Sequence, residues 1–135
     1  MRVLVTGGAG FIGSATAAAL RDAGHDVTVA DDLSRGRRDM VPDDVRFVEA
    51  DVTDPEAIGP VVAGAGFDAC LHFAALIEVG DSMHRPEAYF GTNTAGTATL
   101  LDVLLRNDVG RFVFSSTAAT YGEPVRVPLD EDHPN

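Results

Sequence analysis

The sequence predicts an α/β protein on a three-layer, doubly wound parallel sheet with strand order 3-2-1-4-5. Three observations carry this. Short apolar runs alternate with helical patterns along the chain, and such alternation yields a parallel sheet with right-handed crossovers. The first run, Val3 to Val5, is unbroken apolar, as a strand covered on both faces requires. It breaks at Gly7 to Gly10 and passes straight into an Ala-rich helix pattern, the strand–turn–helix opening of such a sheet.

Each element has its own warrant. Arg2 to Thr6 is the first strand, and the helix after it runs from Phe11 to about Ala23, where Gly24 offers a C-terminal cap. Asp26 to Ala30 is a second strand, Asp31 to Asp44 a polar Arg/Asp-rich loop, and Val45 to Glu49 a third strand. Thr53-Asp54-Pro55-Glu56 starts a helix with a capping side chain, a first-turn proline and an acid near the positive end. That helix closes near Gly64, and a fourth strand lies within Phe67 to Phe73. Arg85-Pro86-Glu87 opens a long helix to about Asn107, Arg111 to Ser116 is a fifth strand, and Pro124, Pro128 and Pro134 interrupt a turn-rich tail. No repeat, low-complexity segment or linker divides residues 1–135, which are read as one domain.

Composition narrows the function. The net charge of −11 argues against nucleic acid or anionic lipid as a partner. No apolar run approaches the roughly 18 residues of a membrane span, and Met1-Arg2 leads into a strand rather than a signal peptide. The single cysteine, Cys70, lies among Ala69, Leu71 and Phe73 and reads as a buried thiol in a reducing, cytoplasmic setting. Asp130, Glu131 and Asp132 read as a solvated turn, so no metal site is expected.

Thr6-Gly7-Gly8-Ala9-Gly10-Phe11-Ile12-Gly13 holds a G-x-x-G-x-x-G spacing between strand and helix. Gly7 allows the tight turn off the strand, Gly10 leaves room for a pyrophosphate against the backbone, and Gly13 permits close helix packing. The helix N-terminus offers free N–H groups and positive potential to phosphates. This suits an acidic protein with no basic cluster. Asp31 lies 18 positions beyond Gly13, where an acid accepts from the adenine ribose hydroxyls and repels a 2′-phosphate. NAD is therefore expected over NADP, although Arg35, Arg37 and Arg38 lie close by. Asp31 can also serve as a loop cap.

Here the chain resembles the extended short-chain dehydrogenase/reductase family, with its Rossmann-type NAD domain, and most of all its nucleotide-sugar epimerase branch. The matching pieces are Val3 to Ser14, Gly24-His25, Asp31 to Ser34, Val48 to Val52, His72-Phe73-Ala74-Ala75-Leu76, Val79 to Ser82, Asn93 with Gly96-Thr97, and Phe114 to Gly122. The resemblance implies that Phe11 and Ile12 lie along the pyrophosphate. It places Asp31, Asp32, Leu33, Ser34 and Gly36 around the adenine ribose, and Asp51 and Val52 at adenine. Phe73, Ala74 and Ala75 would line the cofactor, with Asn93 beside it and Ser115 near the nicotinamide. Thr117 matches the catalytic-site Ser/Thr that hydrogen-bonds the sugar hydroxyl being oxidised at C4, and the substrate would be a UDP-sugar. Asp51 also suits a turn before a helix, Asn93 a loop brace, Ser115 and Thr117 strand-end ties, and His72 a satisfied packing role.

The chain departs from that pattern too. Ile77 stands where many epimerases carry a lysine, and Gly91-Thr92 replaces a more polar pair. The family's chemistry uses a Tyr-x-x-x-Lys pair, in which the lysine lowers the tyrosine's pKa. Tyr89 is followed four places on by Asn93 and Tyr121 by Val125, and all ten basic residues are arginine. The pair is expected beyond Asn135. The chain then reads as an incomplete NAD-binding domain, truncated on its C-terminal side and lacking a substrate domain. It would bind NAD without catalysis and expose its fifth strand, which favours a homo-oligomer. A 4,6-dehydratase is disfavoured because Ala118 and Ala119, not an acid, follow Thr117. A nucleotide-sugar reductase or a non-catalytic NAD-binding module remains open.

Overall fold

The computed structural model describes residues 1–134. Its strands are β1 (Arg2–Thr6), β2 (Asp26–Asp31), β3 (Arg46–Glu49), β4 (Ala69–His72) and β5 (Phe112–Phe114), and its α-helices α1 (Phe11–Asp22), α2 (Pro55–Val62), α3 (Val79–Ser82), α4 (Pro86–Tyr89) and α5 (Thr97–Arg106). The sheet runs β3-β2-β1-β4-β5, with every pairing parallel. This is the doubly wound order expected.

The apolar run of β1 has a physical purpose. Val3 and Val5 join Ala17 of α1, Val27 and Val29 in a core on one face of the sheet. Leu4 points the other way, into a core with Ile58, Val62, Cys70, Leu100 and Leu104, fed by α2 and α5. A strand alternates its side chains, so only a strand buried on both faces carries this composition.

The helix ends follow local chemistry. Asp54 caps α2 by accepting from the Glu56 N–H at 2.9 Å, with Pro55 in the first turn. At the end of α1 the Gly24 N–H donates to the Arg21 carbonyl at 2.9 Å. Gly24 holds φ +82, a left-handed conformation glycine adopts without steric cost.

Three features differ from expectation. The long helix is α4, a π-helical stretch Phe90–Gly96, then α5. Gly91, Gly96 and the threonines between them are weak helix formers, and a Cβ on Gly96 would lie 2.7 Å from Thr53 Cγ2. Three short helical pieces, α3 and 3₁₀ turns at Arg38–Met40 and Ala118–Tyr121, arise within stretches too short to show periodicity. Asp31 belongs to β2, in register with Glu49, rather than to the loop.

All five strands point their C-terminal ends to one edge. The chain leaves β1 toward β2 and leaves β4 toward β5, so the sheet's order reverses between β1 and β4. Ligands of open α/β sheets sit in the crevice at that switch. Among the described residues no helix is long and apolar enough to cross a membrane.

Candidate functional site

The crevice is built on the turn after β1. The Gly7 N–H donates to the Ala30 carbonyl at 2.9 Å, and the Phe73 N–H to the Thr6 carbonyl at 2.8 Å. The turn is thus stitched to both neighbouring strand ends. Gly7 holds φ +70, and a Cβ there would lie 2.4 Å from the Ala74 nitrogen. A Cβ on Gly13 would lie 2.3 Å from the Gly7 carbonyl oxygen, so α1 packs against the turn itself more directly than against the sheet. Gly10 is different: its nearest neighbour would be the Gly7 oxygen at 3.3 Å. A Cβ at position 10 asks the Gly7 carbonyl to give by only a few tenths of an ångström, a far milder demand than at Gly7 or Gly13. Gly8 escaped the motif reading, yet its Cβ would lie 2.6 Å from Val29 Cγ1.

Gly10 is the N-cap of α1, with no capping side chain and no acid in the first turn. The twelve-residue helix therefore presents its positive end to the crevice. Phe11 and Ile12, the first two helical residues, are 83% and 59% exposed at its mouth. These observations fit a dinucleotide pyrophosphate: uncapped donors, a backbone without side chains, and exposed first-turn residues.

Asp31 lies at the end of β2, buried. Its Oδ2 accepts from the Ala9 N–H and its Oδ1 from the Leu33 N–H, each at 2.9 Å. The loop-cap role is thus present. A carboxylate has about four acceptor sites, and these two bonds use two of them. Leu33 holds φ +57 under this grip. A Cβ on Gly36 would lie 2.6 Å from Asp31 Oδ1, which explains glycine at that position. Asp32 accepts from both the backbone N–H and the hydroxyl of Ser34, at 3.0 and 2.7 Å. The nearby cations are engaged elsewhere. Arg35 pairs with Glu78 at 2.6 Å, Arg37 with Asp39, and Arg38 lies over the Phe47 ring.

The remaining candidates divide. Asp51 Oδ1 accepts from the Thr53 N–H at 2.7 Å and so shapes the turn before α2. The Val52 side chain is core, leaving only its main chain for recognition. Phe73, Ala74 and Ala75 follow β4 directly and flank Gly7. Asn93 spends its amide on the loop: its Oδ1 accepts from the Leu76 N–H at 2.8 Å and its Nδ2 donates to the Leu76 carbonyl at 2.9 Å. It braces the 73–76 loop. The Ser115 N–H donates to the His72 carbonyl at 3.1 Å, which sets it beside the end of β4. Thr117 Oγ1 accepts from the Ala119 N–H at 3.2 Å, capping a short 3₁₀ turn at Ala118–Tyr121. Ile77 is exposed. A concavity lined by Met1, Arg2, Asp26 and Asp68 lies at the opposite edge of the sheet, away from this crevice.

His72 is 1% exposed and fully hydrogen-bonded. Burial pushes its pKa down to about 4 from 6.5. Burial also pushes the adjacent Cys70 thiol up to about 12, so both groups are neutral and Cys70 is no nucleophile. The unfolded chain therefore takes up the histidine proton first as pH falls. The effect is absent above pH 6.5 and grows until pH 4, to about 3 kcal/mol of lost stability. Asp39 and Asp44, whose pKa values Arg37 and Arg21 hold down, lose their partners only at lower pH. Urea unfolding at pH 7 and pH 5 is expected to differ by about 2 kcal/mol. A His72→Phe variant with the same pH slope would refute that assignment.

The family model described as NAD dependent epimerase/dehydratase family matches residues 3–135. The chain is 48% identical over 134 residues to a UDP-glucose 4-epimerase of Corynebacterium glutamicum, covering 99% of this chain and 40% of that protein. It is 48% identical over 133 residues to one of Azospirillum brasilense, covering 98% of this chain and 38% of that protein. A Thermus thermophilus UDP-glucose 4-epimerase structure in complex with NAD superimposes with TM-score 0.90 at 38% identity, covering 99% of this chain and 44% of that one. The chain thus spans about two fifths of the length of these relatives. On the matched motif, the parallel sheet and the glycine turn together, the chain belongs to the NAD dependent epimerase/dehydratase family.

Proposed function

We propose that this chain is the NAD-holding portion of a UDP-glucose 4-epimerase. One observation carries the reading: the uncapped, acid-free N-terminus of α1 opens at Gly10, between Asp31 on one side and Phe73 to Ala75 on the other. Phosphate oxygens accept from the first-turn N–H groups of Phe11, Ile12 and Gly13. The free acceptor sites of Asp31, with Leu33, Ser34 and Gly36 around them, take the adenine ribose hydroxyls, and Asp51 with the Val52 main chain takes adenine. Phe73, Ala74 and Ala75, held by Asn93, line the other half of the cofactor. Ser115 lies near the nicotinamide, and Thr117 is the residue that meets the sugar hydroxyl. When bound, NAD supplies the hydride acceptor for transient oxidation at C4 of a UDP-sugar.

Within this reading the 135 residues bind and orient the cofactor but contain no lysine to tune a catalytic tyrosine. Arginine is a poor substitute, its charge being delocalised and effectively permanent. The exposed Val113 and Phe114 on the outer strand support self-association. A 2′-phosphate would meet Asp31 while Arg35 and Arg37 are occupied by Glu78 and Asp39. Like-charge juxtaposition of this kind costs several kcal/mol, so NAD should bind at least ~100-fold tighter than NADP. Calorimetric titration with both dinucleotides tests this, alongside an assay for UDP-galactose conversion by the purified chain, expected to be blank. Equal or tighter NADP binding, or measurable conversion, overturns the corresponding half of the reading.

A further inference from the structure

We propose that His72 is a positioning residue: its one buried ring locks the ends of β1 and β4 and the long helix together, and so sets the 73–76 loop and Ser115 to receive the nicotinamide half of the cofactor. The ring joins the elements that border this half of the crevice. Nδ1 meets the Thr6 hydroxyl, one residue before Gly7, at 2.6 Å. Nε2 meets the Thr97 hydroxyl at 3.0 Å. Thr97 Oγ1 donates onward to the Asn93 carbonyl at 2.8 Å, and the Asn93 amide clasps Leu76 at both its N–H and its carbonyl. On its other side the ring lies against Phe112 and Phe114 of β5, with centroids 5.7 and 6.0 Å away. Its own carbonyl accepts from the Ser115 N–H.

The proton placement follows. The Thr97 hydroxyl hydrogen is committed to the Asn93 carbonyl, so toward His72 that oxygen only accepts, and Nε2 carries the ring hydrogen. Nδ1 is then bare and accepts from the Thr6 hydroxyl. With that placement the links run in one direction, Thr6 to His72 to Thr97 to Asn93, and both ring nitrogens are satisfied. Loosening a link lets the turn that carries Asn93 shift, and the Asn93 clasp on Leu76 shifts with it, without touching Asp31 or the Asp31 contact to Ala9. The two halves of the dinucleotide site therefore respond separately: the adenosine side depends on β2, the nicotinamide side on this relay.

This rests on the NAD reading above, so the test includes a measurement that does not need it. Thr97→Val keeps the shape and removes the hydroxyl that joins His72 to Asn93. His72→Phe keeps the ring against Phe112 and Phe114 and removes both hydrogen bonds. In the 135-residue chain, both variants are expected to lower NAD affinity at least tenfold while leaving ADP-ribose affinity within twofold. Amide hydrogen exchange at Leu76 should quicken at least tenfold in Thr97→Val, while that at Ala9 stays as in the native chain. Equal losses for NAD and ADP-ribose, or no loss for either, overturn the proposal with the NAD reading intact. Should the native chain bind neither ligand, the NAD reading fails, and unchanged Leu76 exchange in Thr97→Val then overturns the positioning role by itself. Should His72→Phe fail to fold, Thr97→Val carries both measurements.

Discussion

Gly7→Ala is expected to destabilise the fold by about 3 kcal/mol or more, whereas Gly10→Ala is expected to leave stability within about 1 kcal/mol and remove most NAD binding. The contrast arises from two different uses of one residue type. At Gly7 the backbone is left-handed, at φ +70, and the added Cβ would meet the Ala74 nitrogen at 2.4 Å and the Phe73 carbonyl carbon at 2.5 Å. Both are backbone atoms at the end of a strand, which cannot swing aside as a flexible side chain does. The left-handed conformation adds roughly 1–2 kcal/mol for any residue with a Cβ. At Gly10 the backbone is extended, with φ −81 and ψ 173, and the nearest atom to a Cβ would be 3.3 Å away. Alanine fits there once the Gly7 carbonyl gives by a few tenths of an ångström, and in the proposed reading its methyl meets the approaching pyrophosphate. Urea unfolding and calorimetric NAD titration of both variants check this. A Gly10→Ala protein that binds NAD as the native chain does would show that phosphate does not approach that backbone.

Asp31→Ala is expected to cost about 3 kcal/mol of stability and to abolish most of the preference for NAD over NADP. The stability loss comes from the Ala9 and Leu33 N–H groups, both bonded to this carboxylate. A bond to a charged acceptor is worth about 1.5–3 kcal/mol. Leu33 would also lose the contact that holds its φ at +57. The selectivity loss comes from removing the negative charge a 2′-phosphate would face. Paired denaturation curves and NAD and NADP titrations separate the two effects. Native stability in Asp31→Ala would mean that the carboxylate does not tie the ribose loop to the glycine turn.

The glycine spacing and the acid at the end of β2 were legible because backbone geometry demands those residue types wherever they occur. Gly7 and Gly13 could be placed from spacing alone, since any doubly wound sheet needs a tight turn and a close helix there. Asp54 and Pro55 were legible as a helix start because capping is local chemistry. Gly8 was not legible: its constraint is Val29, a residue from another strand, and no local pattern reports that contact. Asn93 is similar. Its residue type allowed a cofactor contact or a brace, and only the approach of Leu76 shows the brace.

His72 shows the boundary most plainly. Its place in a short apolar strand predicts burial, and burial predicts hydrogen-bond partners. Which partners it finds depends on Thr6 and Thr97, brought to it by strand pairing and by the course of the long helix. By itself the sequence determined the order of elements, the glycine turn and the acid facing it, because those follow from propensity, spacing and backbone sterics. Only the tertiary structure decided the hydrogen bonds through His72, the brace at Asn93 and the grip of Asp31 on Ala9, because each depends on groups that meet through packing across the sheet.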